Sequence, residues 1–234
     1  MILDVGNIEI VDDKSEGNRG RLVTFSKMVS KEGVGNCVKI FIDADHDRIQ
    51  GISHESCVWM TDGRDLEGYI LTEKSLEKML SLGFGLESLD AENLLSIVSP
   101  WARKAAALRL LSERQKLNLP FQRTDLARYA CVAKAPLSLD IEWPNYVRAL
   151  LQNGSISLVN INSIIDQCNQ VEIQLNTWCN RQLIHGKDAI CLIGIILRKL
   201  GCPIQGIEPA LWSSYETDSV AQNPNLDAAL QFIC

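Results

Sequence analysis

Residues 38–47 read Val-Lys-Ile-Phe-Ile-Asp-Ala-Asp-His-Asp, a β-branched and aromatic run that ends in three carboxylates at alternate positions. On an extended chain alternate side chains share a face, so Asp43, Asp45 and Asp47 are expected together at the end of a buried strand. Carboxylates crowded on one face raise one another's pKa unless a cation or a proton lies between them. A hard divalent ion with oxygen ligands, such as Mg²⁺, meets that need. A solvated turn after a strand carries the same residues, and D-x-D alone is a weak pattern.

Thr61-Asp62-Gly63-Arg64-Asp65-Leu66-Glu67 follows the next short apolar run, Cys57-Val58-Trp59-Met60. If both runs are neighbouring strands, Asp62, Asp65 and Glu67 face the first acids across a sheet edge. Helix capping is the competing reading: Asp65 as N-cap and Glu67 in the first turn suit a helix that needs no metal. A third cluster, His185-Gly186-Lys187-Asp188, precedes the apolar segment 189–197. His185, Lys187 and Asp188 could position a phosphate at a helix start, or Asp188 could cap the helix with the other two solvated. The basic residues Arg103, Lys104, Arg109, Arg114 and Lys116 read as a solvated helix face rather than a phosphate track. The five tryptophans are dispersed and read as core anchors.

These groups need a scaffold, and the rest of the chain supplies one. Segment 7–11 alternates as a strand, and 12–20 is a polar loop. Leu22, Phe25, Met28 and Val29 repeat at helical spacing over 21–29, ahead of the strand at 38–42 and another at 57–60. A helix follows Asp65. This order argues for a mostly parallel α/β sheet over 1–84, whose ligands sit at the carboxyl ends of its strands. Beyond Gly83 the pattern is helical at 89–117, 145–151, 161–178 and 187–200, with prolines between. The expectation is a helical C-terminal lobe over 85–234 containing a linker at 117–139.

With 234 residues, 46% hydrophobic and 22% charged, the chain is long and apolar enough to bury a core. A net charge of −6 gives no overall basic field to draw it to nucleic acid or anionic membrane. Eight cysteines without a C-x-x-C pair read as reduced core thiols. With no signal-peptide pattern and no apolar run long enough to span a bilayer, the expectation is a soluble, cytoplasmic protein without membrane contact. A homo-oligomer is compatible with this composition.

Taken together, 42–47, 61–67 and 185–188 resemble the Toprim-like domains found beside ABC-type or AAA-type ATPases. Those domains are related to the OLD nucleases and to the Toprim effector of the PARIS phage-defence system. The resemblance covers roughly residues 8–200. It implies a Toprim-like sheet with flanking helices, followed by a helical part. It further implies Mg²⁺ (or Mn²⁺) on Asp43 and Asp45, with the acidic pair Asp65 and Glu67 beside them; the alternate spacing adds Asp47 as a further candidate metal ligand. Asp43, Asp45 and Glu67 would then serve phosphodiester cleavage of DNA or RNA, alongside a bacterial ATPase partner.

One departure bears on activity. Toprim domains open on a strand ending in Glu-Gly, whose glutamate handles a proton or joins the metal. Here 8–13 carries no such ending, Glu16-Gly17 lies in a polar loop, and 17–21 looks like the Gly/basic turn after the family's second strand. Two functions compete on this basis: a Mg²⁺-dependent nuclease effector, and a non-catalytic subunit that docks on an ATPase through its helical lobe. A haloacid-dehalogenase-type phosphatase with Asp43 as nucleophile is a third, although Asp47 stands where that motif carries Thr. Without the glutamate the chain is expected to bind Mg²⁺ but cleave weakly, since general acid–base help contributes about 10²–10⁴-fold. Robust cleavage would turn attention to Glu9, Asp12 or Glu16 as the substitute.

Overall fold

The computed structural model describes residues 17–156, 160–202 and 205–233. The strand expected at 7–11, together with Glu9, Asp12 and Glu16, lies outside the described residues. Two compact units are present: Met1–Leu66 together with Glu216–Cys234, and Glu67–Tyr215.

The first unit opens on α1 (Gly17–Lys31), four residues earlier than the apolar spacing suggests. A Gly-punctuated start hides a helix from periodicity, because Gly17, Asn18, Arg19 and Gly20 add no apolar stripe. The turn after α1 leads to β1 (Ile40–Ile42), and then to the single-turn helix α2 (Asp47–Gln50) and β2 (Val58–Met60). The strands pair in parallel, Ile40 beside Val58, Phe41 beside Trp59 and Ile42 beside Met60. Ile40 and Ile42 point inward and pack with Val29 of α1 and with Cys57. Leu22, Val23, Phe25, Val38, Val58 and Met60 close round them. The mixed α/β character expected for this part is present, and its parallel strand pair places both acidic segments at strand carboxyl ends.

The second unit is mostly helical. It begins with α3 (Glu67–Ile70) and α4 (Glu73–Lys78), whose Thr72 side chain accepts the Ser75 amide as N-cap. A wider turn over Met79–Gly83 follows. The spine is α5 (Ala91–Arg114), capped by Asp90, with Leu94, Val98, Ala102, Ala105, Leu108 and Leu111 buried on one stripe. Beyond it the segment expected as a linker folds instead into an antiparallel hairpin, β3 (Ala130–Lys134) and β4 (Leu137–Ile141). Leu137, Leu139 and Ile141 alternate as a strand requires, and Pro136 lies in the two-residue turn rather than between helices. Then come α6 (Trp143–Asn153), α7 (Ile161–Gln174), α8 (Asn180–Leu183), α9 (Gly186–Leu200) and α10 (Ile207–Ser214). α7 ends four residues short of the expected 178.

Of the basic residues expected on a solvated face, Arg103, Lys104 and Arg109 are half-buried with partners inside the unit, whereas Arg114 and Lys116 are exposed. Arg103 donates to the carbonyls of Leu175 and Trp178, closing the end of α7. Lys104 lies over the rings of Trp101 and Trp143. The chain finally returns to the first unit as α11 (Pro224–Ile233), where Phe232 meets Trp59 edge-on. Among the described cysteines none is paired, and only Cys57 and Cys168 are buried, so the core-thiol reading holds for those two. Burial pushes the Cys168 thiol up to about 12. Among the described residues no helix is long and apolar enough to cross a membrane.

Leu108 is fully buried on the α5 spine, so Leu108→Ala should destabilise the second unit by about 2–5 kcal/mol. Denaturant titration followed by tryptophan fluorescence measures this. A loss well under 1 kcal/mol would show that α5 is not the core of the unit.

Candidate functional site

The acids after β1 do not continue the strand. Asp45 adopts a left-handed conformation with φ of 45°, which Asp tolerates better than most side chains and which ends the extended run. Asp47 then opens α2, so alternation along a strand is not what gathers the three carboxylates. They lie on a tight turn, which the Arg19 guanidinium faces.

Arg19 of α1 reaches all three acidic residues. Its Nε donates to the carbonyl oxygen of Asp43 at 3.2 Å and lies 3.1 Å from Asp45 Oδ2. Its Nη2 donates to Asp47 Oδ2, where His54 Nε2 also makes contact. Asp47 is 4% exposed, and a carboxylate so buried needs charged or hydrogen-bonded partners. Asp43 Oδ1 accepts the Leu66 amide at 3.1 Å. Burial of the turn pushes the Asp45 carboxyl above its ordinary range, and the charges of Arg19, Arg64 and His46 oppose that rise.

The second acidic segment is laced to the first. Thr61 donates its amide to Ile42 O at 2.9 Å, and its hydroxyl accepts the Ala44 amide at 3.0 Å. The Asp45 amide donates to Arg64 O at 2.8 Å. Arg48 of α2 donates to the carbonyls of Gly63 and Thr61. The two loops therefore form one rigid ledge at the carboxyl end of the parallel pair.

Within that ledge the carboxylates have separate tasks. Asp62 accepts the amides of Asn225 and Leu226 at 3.0 and 3.2 Å, capping the start of α11. Asn225 Nδ2 donates to Met60 O at 2.9 Å, fixing the same junction. Asp65 is buried, two residues ahead of α3. Glu67 belongs to the second unit, where its carboxylate lies 3.3 Å from Lys187 Nζ.

The segment 185–188 opens α9. His185 is the N-cap residue of α9 without a side-chain cap, and its Nδ1 lies 3.8 Å from Asp188 Oδ1. Asp188 receives two 2.7 Å hydrogen bonds from Arg109, a bidentate pair joining α9 to α5. Burial first, and the Asp188 charge second, push the Tyr146 hydroxyl's pKa upward beside this pair.

Mg²⁺ would need oxygen donors converging on a common point. Here Asp47 and Asp45 are engaged by Arg19, and Asp43 by a backbone amide. Among the described residues no group of three His, Cys, Asp or Glu side chains is gathered to hold a metal ion. The partners that sequence reading missed are Arg19, Arg48, His54 and Thr61. The one available signal was the Gly/basic segment 17–21, which carries Arg19. No protein-family model, curated protein or solved structure matches this chain.

Two outcomes test this geometry. The folded chain holds the Asp45 proton more tightly than the unfolded chain. Stability tied to that proton is therefore full below about 3.8 and is lost as pH rises through the folded value. Asp45→Asn abolishes the titration and suits the left-handed turn, so its melting temperature relative to wild type should climb as pH is raised from 3.8 to 7. An offset constant over that range would contradict the cause assigned here. Separately, Asp62→Ala removes the α11 cap and should cost about 0.5–2 kcal/mol, with faster amide exchange confined to 224–233. Unchanged exchange there would show that Asp62 does not hold the helix.

Proposed function

We propose that this chain is a Toprim-like subunit that docks on an AAA-type or ABC-type ATPase in bacterial phage defence and does not itself cleave nucleic acid. The Toprim relation and the ATPase partner rest on the resemblance of the three motifs. The observation that carries the non-catalytic reading is the Arg19 contact set. The carboxylates such an enzyme would present to a metal are here turned to a guanidinium, a histidine and a backbone amide. His185, Lys187 and Asp188, which a phosphate would have to engage, sit among Arg109 and Glu67 instead.

A second reading is a Mg²⁺- or Mn²⁺-dependent nuclease, with Asp43 and Asp45 as its central acids and Asp47 and Glu67 as further candidates. The observation in its favour is the position of both acidic loops, laced together at the carboxyl ends of adjacent parallel strands, where open α/β sheets bind ligands.

The purified full chain, incubated with plasmid DNA, single-stranded DNA and single-stranded RNA in millimolar Mg²⁺ or Mn²⁺, separates the two. No cleavage above buffer is expected, together with co-elution of a candidate AAA-type or ABC-type ATPase when both are co-expressed. Cleavage that EDTA stops and that Asp43→Ala plus Asp45→Ala abolishes would establish the nuclease. Absence of any complex with the ATPase would remove the docking role.

A further inference from the structure

We infer that the outer edge of β3 is a docking site for an extended segment of a partner protein that carries apolar and carboxylate side chains. An edge strand presents main-chain donors and acceptors to which another chain adds as a further strand. The hairpin has two edges, and they differ. On β4 the Leu139 carbonyl accepts the Trp101 indole N–H at 3.0 Å, so α5 covers that side. On β3 the outward groups follow from the ladder. The Glu142 amide donates to Tyr129 O at 2.8 Å, which makes these two residues a bonded pair across the hairpin. Bonded and unbonded pairs alternate in an antiparallel ladder, so Cys131 with Asp140 and Ala133 with Ser138 are the next bonded pairs. Ala130, Val132 and Lys134 therefore turn their main-chain groups away from β4. The Ala130 amide donates to Ala127 O. Among the described residues none pairs with the outward N–H and C=O of Val132.

The space beside that edge suits an added strand. A cleft of about 490 Å³ has Ala130, Cys131 and Val132 on one side and Ile195, Arg198 and Lys199 of α9 on the other. Its size is that of pockets that enclose a ligand, and all of these residues belong to the second unit. Alternate side chains of a strand share a face, so an apolar residue over Val132 and Ile195 is followed two positions on by one that meets the cations. Arg198 and Lys199 are exposed, and no acidic residue lines this cleft. Asp125 and Glu208 line a neighbouring cleft that shares Arg198. The charge left for the partner to supply is thus negative. Charge also disfavours a second copy as the occupant. Pairing β3 with itself would bring Lys134, Arg198 and Lys199 of one copy against the cations of the other, and like charges across strands are destabilising.

The inference stands apart from the ATPase role, because its assay contains no ATPase. The full chain is titrated into a fluorescein-labelled heptapeptide of alternating Val and Glu, and binding is read by anisotropy. Saturable binding below millimolar peptide is expected, with the alternating Val and Lys peptide roughly tenfold weaker or worse. A strand pairs through alternate amides, so the Val and Glu peptide is also made N-methylated at its Val amides and, separately, at its Glu amides. One of these two forms should lose roughly tenfold in affinity and the other should not. Arg198→Gln with Lys199→Gln, both on exposed positions, should weaken the unmethylated Val and Glu peptide by roughly tenfold. Absence of saturable binding at millimolar peptide would overturn the inference, as would equal affinity of the parent and both methylated forms. Equal affinity of the Val and Lys peptide, or of the glutamine variant, would do the same. A dimer in sedimentation velocity that the Val and Glu peptide dissociates would assign the edge to a second copy instead.

Discussion

Neutralising carboxylates at the end of a two-stranded parallel pair is the constraint around which the first unit is arranged. β1 can deliver Asp43 to that edge only because Ile40 and Ile42 anchor it, and β2 brings Thr61 and Arg64 alongside. At an effective dielectric constant of about 20, two like charges 4 Å apart repel by about 4 kcal/mol, comparable to a large share of a domain's stability. A cation carried on a packed helix offsets that repulsion. Arg48 does a related job on neutral groups, gathering the carbonyls of Thr61 and Gly63. Backbone carbonyls that no strand partner can satisfy are thereby used to fix the shape of the ledge.

The second unit applies the same economy to its basic residues. Arg103, Lys104 and Arg109 sit on a helix whose apolar stripe is buried, and each turns its charge to something within the unit. Arg103 takes carbonyls beyond α7, Lys104 takes aromatic faces, and Arg109 takes Asp188 while stacking 4.3 Å from the Phe121 ring centre. Three of the five basic residues that look like one cationic face in sequence are therefore internal fasteners, while Arg114 and Lys116 stay exposed. Long side chains with apolar stems suit this use, since they cover apolar surface while carrying a polar head to its partner.

Much of the scaffold was legible in the residues themselves. Val38, Ile40, Phe41 and Ile42 announce a strand, Asp43 its end, and the α5 stripe its helix, because burial imposes a period that composition reveals. The roles of individual acids were not legible. Asp62 resembles a site residue next to Asp65 and Glu67, yet it caps a helix from the far end of the chain, a pairing no local spacing encodes. Asp43, Asp45 and Asp47 were read as candidate Mg²⁺ ligands, and the spacing held no sign of the Arg19 guanidinium that faces their turn. That guanidinium comes from a segment whose glycines mask its helical character. The hairpin at β3 and β4 was obscured by Pro136, although Leu137, Leu139 and Ile141 carried the alternation that strands require.

The return of α11 to the first unit has a consequence for synthesis on the ribosome. Asp62 waits for amides 163 residues further along the chain. At about 5–20 residues per second, the N-terminal unit remains without its last helix for roughly 8–30 seconds. Throughout that interval Trp59 lacks the Phe232 ring that meets it in the finished fold. Apolar surface left open for so long is what chaperones recognise, and the order of emergence gives the helical unit time to fold first. The N-terminal unit is completed only once residues 224–233 have emerged.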